Sequence, residues 1–333
     1  MEKKRADGDL QLAIYPFIEY EDSTYFAWPC LKENPAKQFQ DIKNFDSREN
    51  DILLCTAPKT GTHWVHEIIS MLVDHTTEYN SRDATLKIHL DFMTDFQLLE
   101  SETRRRILHS HLPWSFLPSK HKDEKAKVVY VNRNPKDRHA SQYNWLKQMN
   151  GVPPDFTWKQ YYEDMVINGN QFCIYTYYWY VTGATSEAGS ANPSGALEIT
   201  TSFWWDRLLT GWFNYTKEMT KAARSYKNVH CVLFEDLKLH PIETIKHIAE
   251  FLEVPFDDQF IAEVADKNVF RKLKDYKQDA SVAVSRNYKS VLFRKGEIGD
   301  WKNWFTVSQN EQFDAMYKKE MKGVEVDFIY ETQ

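Results

Sequence analysis

Ala57-Pro58-Lys59-Thr60-Gly61-Thr62-His63-Trp64 brings a cation, two hydroxyls and a glycine together in one short stretch. A glycine turn at a helix start presents unpaired N–H groups, and the helix dipole favours an anion there. Lys59 supplies charge, while Thr60 and Thr62 supply hydroxyl donors. This is not the Mg-ATP loop, because the lysine precedes the glycine and the first glycine of that pattern is missing. The residues suit a phosphate group; they also suit a plain structural turn.

Three further groups of side chains could carry chemistry. Arg133 and Ser141 lie in RNPKDRHAS, where the arginine closes an apolar run and the serine falls on the helix that follows. Both positions reach the carboxyl edge of a sheet, where open α/β sheets bind ligands. A strand-ending arginine with a solvent-facing serine is the plainer reading. Arg294-Lys295-Gly296 sets two cations before a glycine that lets backbone approach a ligand, or makes a polar turn. His109 and His111 alternate by two, which on a strand puts both on one face. They fit a metal pair, a single general base titrating near neutrality, or two structural histidines. Arg104-Arg105-Arg106 reads as a solvated charged face.

The elements around these residues alternate. Apolar, β-rich runs at Asp51–Cys55, Arg106–His111, Lys127–Val131 and Val229–Phe234 are followed by turns. Helical spacing then recurs at Thr62–Leu72, after RNPKD and at about Pro241–Leu252. That rhythm predicts an α/β fold with a central parallel sheet, and near-continuous apolar strands imply helices on both faces. Thr182–Ser202 is rich in Gly, Ser, Thr and Ala and carries no basic residue, so it reads as an inserted flexible loop between aromatic clusters. The rhythm resumes beyond it, so residues 1–333 form one domain, with 1–36 as an N-terminal extension.

Composition limits the partners. The chain has 333 residues, 42 Lys+Arg against 48 Asp+Glu, and a net charge of −6. That balance argues against gripping nucleic acid or an anionic membrane over a broad face. Aromatic residues reach 15 %, with 11 Trp, beyond the usual needs of a core. Cys30, Cys55, Cys173 and Cys231 form no close pair, which fits a reducing compartment and no cysteine-rich metal site. The polar N-terminus lacks the apolar core of a signal peptide, and no apolar run is long enough to span a membrane. The expected location is the cytoplasm.

Taken in order, PKTGTHW, HLP at His111, Arg133 with Ser141, and RKGEIGDW closely resemble the cytosolic sulfotransferase family, in the manner of an invertebrate-like member. The resemblance runs from about Lys37 to Phe328. It implies the sulfotransferase fold with a P-loop-like phosphosulfate loop. The activity implied is transfer of a sulfuryl group from 3′-phosphoadenosine 5′-phosphosulfate (PAPS) to a hydroxyl or amine of a small, aromatic acceptor, leaving PAP. It implies that Lys59, Thr60, Gly61, Thr62 and His63 surround the 5′-phosphosulfate. Arg133, Ser141, Arg294, Lys295 and Gly296 hold the 3′-phosphate, and Trp64 and Phe270 sandwich the adenine. His111 is the implied general base, with Lys59 and Ser141 as its catalytic partners, and no metal takes part. His109, Trp114, Phe116 and Trp145 fall where that family lines its acceptor pocket.

The pattern departs from the family at four places. His109 replaces a lysine, Phe234 a tyrosine beside the nucleotide and Asn268 a threonine at the adenine edge, and Thr182–Ser202 is inserted. The stretch Lys302 to Glu311 matches a K-x-x-x-T-V-x-x-x-E dimerisation segment at Lys302, Thr306, Val307 and Glu311, which implies a homodimer. Thr306 or Ser308 capping a helix from about Gln309 is the alternative there. Two alternatives stay open for the chemistry: a PAPS-dependent alcohol dehydratase on the same fold, and a metal-dependent hydrolase using His109 and His111.

Overall fold

The computed structural model describes residues 17–20, 23–26, 34–79, 88–148 and 152–167 (without 94, 124 and 153), 211–276 and 294–332. Most of the 1–36 extension, the Thr182–Ser202 insertion and the aromatic clusters beside it lie outside the described residues. A small antiparallel hairpin, β1 (Phe17–Tyr20) with β2 (Ser23–Phe26), precedes helix α1 (Pro35–Lys43). The central sheet is β3 (Ile52–Thr56), β4 (Ile107–Ser110), β5 (Lys127–Asn132) and β6 (Val229–Leu233), all parallel, in the order β4-β3-β5-β6.

Strand periodicity divides the core in two. Ile52, Leu54, Ile107, Val129, Val131 and Val232 face one layer. There they meet α2 (Thr62–Asp74), α6 (Pro241–Leu252) and α7 (Asp258–Lys267) through Ile68, Ile69, Ile248 and Val264. Leu53, Cys55, Leu108, Val128 and Tyr130 face the other, against Phe39 and Ile42 of α1 and Trp212, Tyr215 and Met219 of α4 (Gly211–Ser225). Each fully buried side chain of this size contributes roughly 1.5–3 kcal/mol relative to exposure. A third cluster joins α3 (Pro135–Leu146), residues 158–167 and α9 (Val307–Glu320) through Tyr143, Tyr161, Phe305 and Phe313.

One sequence expectation is overturned here. Arg106 is not part of a solvated face: at 2 % exposure it makes a two-pronged ion pair with the fully buried Asp51, at 2.5 and 2.8 Å. A guanidinium taken out of water is tolerated when a well-aligned carboxylate and further hydrogen bonds come with it. Its neighbour Arg105 donates to the Leu252 and Asn50 carbonyls, tying α6 to the base of the sheet. At the opposite end, every strand of the sheet delivers a residue of interest: Lys59 after β3, His111 one residue past β4, Arg133 after β5 and Phe234 after β6. Phe234 opens the short helix α5 (Phe234–Leu239).

Candidate active site

The loop between β3 and α2 is held open by its own backbone. Gly61 at the N-cap has φ +111°, and no side chain caps the helix start, so the first N–H groups of α2 face the loop. Lys59 also has positive φ, +69°, an uncommon conformation for a residue with a Cβ. Three contacts brace it. Thr60 Oγ1 donates to the Ala57 carbonyl at 2.6 Å, Arg138 Nε to Pro58 O at 3.1 Å and Arg133 Nη1 to Lys59 O at 3.3 Å. The fully buried Thr60 hydroxyl is therefore committed to the loop itself, contrary to the expectation that it donates to phosphate.

Arg133 also joins this loop to the C-terminal motif. Its Nη2 donates to Glu297 O at 3.2 Å, so Lys59 and Arg294-Lys295-Gly296, far apart in sequence, share one site. Its guanidinium lies 4.0 Å from the centre of the Phe234 ring, which Trp64 meets edge-on at 5.2 Å. A Cβ on Gly61 would come within 3.1 Å of that ring. Gly296, at φ +67°, is tighter still: a Cβ would sit 2.2 Å from Phe270, the first residue of α8 (Phe270–Tyr276). Trp64 Nε1 donates to Asn268 O at 2.9 Å, and the Asn268 amide donates to Val264 O at 2.9 Å. Asn268 therefore anchors Trp64 through its backbone.

Three buried polar atoms of these residues, Arg133 Nε, Arg294 Nε and Asn268 Oδ1, are without hydrogen-bond partners. Two cationic orphans next to an uncapped helix start suit a multiply charged anion. Arg294 and Lys295 are held by the Asp300 carboxylate, which Asn303 and Trp304 also approach. Burial opposes that ionisation, yet the hydrogen bonds from Lys295 and Arg294 keep the Asp300 carboxyl well below its usual range. Ser141 is half-buried on α3. Burial, then the Arg133 and Arg294 charges, pull the Lys59 amine down to about 7.

His111 stands across the loop. Its Nδ1 lies 2.7 Å from the Thr56 carbonyl, which only an N–H can satisfy, so the neutral ring carries its lone pair on Nε2. Asp91, buried in the 3-10 turn Leu90–Phe92, accepts from the His111 backbone N–H and from Ser110 Oγ, both at 2.6 Å. Burial lowers the His111 pKa below its ordinary value, and the Asp91 charge partly opposes this. Lys59 Nζ lies 5.5 Å from the Trp145 ring, so the loop cation meets one aromatic wall.

The other acceptor-side residues are placed differently. Trp114 packs on Tyr226 at 4.8 Å and Phe116 on Phe39 at 4.7 Å, joining α4 and α1. His109 has no exposed surface, and its two ring nitrogens meet His66 and His89 at 2.7 and 3.2 Å. It therefore has no polar atom to offer an acceptor, nor can it share a metal with His111; both expectations are corrected. Asp91, Thr56, Arg138 and Asp300 were missed in the sequence. Asp300 lies inside RKGEIGDW and Arg138 inside RNPKDRHAS, whereas no local pattern singles out Asp91 or Thr56.

The fold and the site define a group-transfer enzyme that holds an anionic donor at the carboxyl edge of a parallel sheet. A family model for the sulfotransferase domain matches residues 49–325. Sulfotransferase 1B1 of the dog, Canis lupus familiaris, is 31 % identical over 310 residues, 88 % of this chain and 90 % of that protein. Human Sulfotransferase 1C2 is 27 % identical over 316 residues, 90 % of this chain and 93 % of that protein. The chain belongs to the sulfotransferase family.

Two solved structures share the fold. Mouse sulfotransferase SULT7A1 complexed with PAP aligns with TM-score 0.66 and 24 % identity over 93 % of this chain and 96 % of that one. Retinol dehydratase in complex with androsterone and inactive cofactor PAP aligns with TM-score 0.68 and 17 % identity, over 94 % and 92 %. Among the described residues, no helix is long and apolar enough to cross a membrane.

Proposed function

We propose that this sulfotransferase moves the sulfuryl group of PAPS to a hydroxyl or amine of a small, aromatic acceptor, with His111 as general base. The observation that carries this is the His111 Nδ1 contact with the Thr56 carbonyl, which leaves Nε2 as the proton acceptor of a ring that follows β4, at the same strand-end edge of the sheet as Lys59. His111 takes the acceptor proton as its oxygen or nitrogen attacks sulfur, and Lys59 stabilises charge on the departing phosphate oxygen. The uncapped start of α2, Arg133, Arg294 and Lys295 bind the phosphates; Trp64 and Phe270 flank the base, where stacking contributes roughly 1–3 kcal/mol. Trp145 supplies an acceptor wall. Helix α1 meets Phe116 through Phe39, consistent with an N-terminal segment that helps shape the acceptor pocket. The test is an acceptor screen with sulfur-labelled PAPS, read by product mass. A sulfated product supports the reading, and a dehydrated one with free sulfate supports an alcohol dehydratase instead.

We further propose a cytoplasmic homodimer through Lys302, Thr306, Val307 and Glu311. Val307 is 77 % exposed, an unusual setting for an apolar side chain at the head of a helix. Thr306 caps that helix in a box with Gln309, so the segment is a preorganised turn as well as a candidate contact. Lys302 pairs with Glu331 of its own chain, and meeting Glu311 of the partner subunit would require that pair to open.

A further inference from the structure

Behind His111 lies a line of imidazoles that the reaction itself does not use. His66 on α2, His109 on β4 and His89 beside β4 are all buried, at 1 %, 0 % and 6 % exposure. His66 Nδ1 meets His109 Nε2 at 2.7 Å, and His109 Nδ1 meets His89 Nε2 at 3.2 Å. Successive rings cross nearly at right angles, at 86° for both pairs. The His89 ring then packs against the His111 ring, 5.0 Å between centres and tilted by 50°. A single parallel bridge sets His89 in register with His109, so the backbone itself aligns the two.

We propose that His66, His109 and His89 form a buried chain that positions the general base, with His89 as the ring against which His111 is set. This rests on the reading of His111 as the base. Each link of the chain needs one N–H and one lone pair, so with neutral rings the two links must run in one direction. Flipping any ring would put carbon where nitrogen is needed, so every ring is locked by its neighbour. Burial holds His89 and His109 well below the ordinary histidine pKa, which keeps the rings in that neutral form. A lysine at position 109, as the family pattern has it, would place an ammonium in this closed space; an imidazole extends a hydrogen-bonded chain there instead.

The same short turn acts on His111 twice. His89 meets the ring, and Asp91 two residues later accepts the backbone N–H at 2.6 Å. The Thr56 carbonyl holds the third side. These groups touch no substrate. They are positioning residues, and they act only through the orientation of His111.

The test separates orientation from folding. His66→Asn keeps an acceptor or donor where Nδ1 stands, and His89→Gln keeps one at Nε2 but removes the ring facing His111; His66→Leu removes its link altogether. Expected are a loss of kcat of about tenfold to a hundredfold in His66→Leu and His89→Gln. The acceptor KM and PAP affinity should stay within about twofold, because no contact to either ligand is removed. His66→Asn should restore most of kcat, and nitrogen-15 spectra of the imidazoles should show single tautomers of His109 and His89 in the wild type and mixtures in His66→Leu. If His66→Leu fails to fold, His89→Gln carries the same comparison. Wild-type kcat in His89→Gln, alongside an inactive His111→Ala, overturns the chain alone. An active His111→Ala overturns the base assignment and this proposal with it.

Discussion

A general base must be neutral to accept a proton, and the burial of His111 favours that state. Its pKa lies below the ordinary 6.5, so the acid limb of kcat/KM for the acceptor, at saturating PAPS, should lie below 6.5, with the rate falling as pH drops through the shifted value. His111→Ala should reduce turnover by about 10²–10⁴-fold with PAP affinity nearly unchanged. More than a tenth of the wild-type rate in that variant would remove His111 from the role. Lys59 gives the opposite pH dependence. With its amine at about 7 in the free protein, binding an anion above that pH must draw in a proton. PAP affinity should fall by up to about tenfold per pH unit above 7, with proton uptake near one at pH 8 and near zero at pH 6. Calorimetry in buffers of different ionisation enthalpy measures that uptake, and Lys59→Gln should abolish it. Arg294→Ala should weaken PAP about tenfold to a hundredfold and adenosine 5′-phosphate far less, since bonds to charged groups contribute roughly 1.5–3 kcal/mol. Equal losses for both nucleotides would contradict its assignment to the 3′-phosphate. Arg133→Ala is a less selective probe, because Arg133 also braces the Lys59 and Glu297 carbonyls.

Among the elements, the turns after the strands set the geometry, and they do so by excluding side chains. Gly296 has positive φ, and its Cα faces Phe270 so closely that a methyl group would overlap the ring. Gly296→Ala should cost about 1–2 kcal/mol for the left-handed backbone alone. It should also displace Phe270, so PAP affinity should fall while the circular dichroism of the fold stays native. Unchanged affinity would show that Phe270 does not contact the nucleotide. The apolar runs and the turns between them were legible in the sequence, because burial on both faces leaves few polar residues in a parallel strand. The helix over Phe234–Leu239 was not expected, since six residues are too few for an apolar repeat to declare itself.

For the whole molecule, the open question is the second copy. The Val307 contact would be small, well under the roughly 1,600 Å² of a standard interface, so a dimer through it should dissociate on dilution. Val307→Glu should leave a folded monomer at tens of micromolar by light scattering, while the wild type remains dimeric. A monomeric wild type, or a Val307→Glu dimer, would exclude this interface.

The order of the motifs and the alternation of strand and helix determined the family and the sheet, because both are local patterns that survive without knowledge of contacts. Lys59, His111, Arg133 and Arg294 stood out as candidates by type and position, each with a plain structural alternative, and the resemblance carried by the order of their motifs implied their roles. Only the tertiary structure decided what those residues touch. It put the Thr60 hydroxyl on Ala57, buried Arg106 against Asp51, and set His66, His89 and His109 in one line behind the base. The partners in the last two come from segments far apart in the chain. A periodicity reports which face of an element is buried, and the identity of the group across that face follows only when the elements pack.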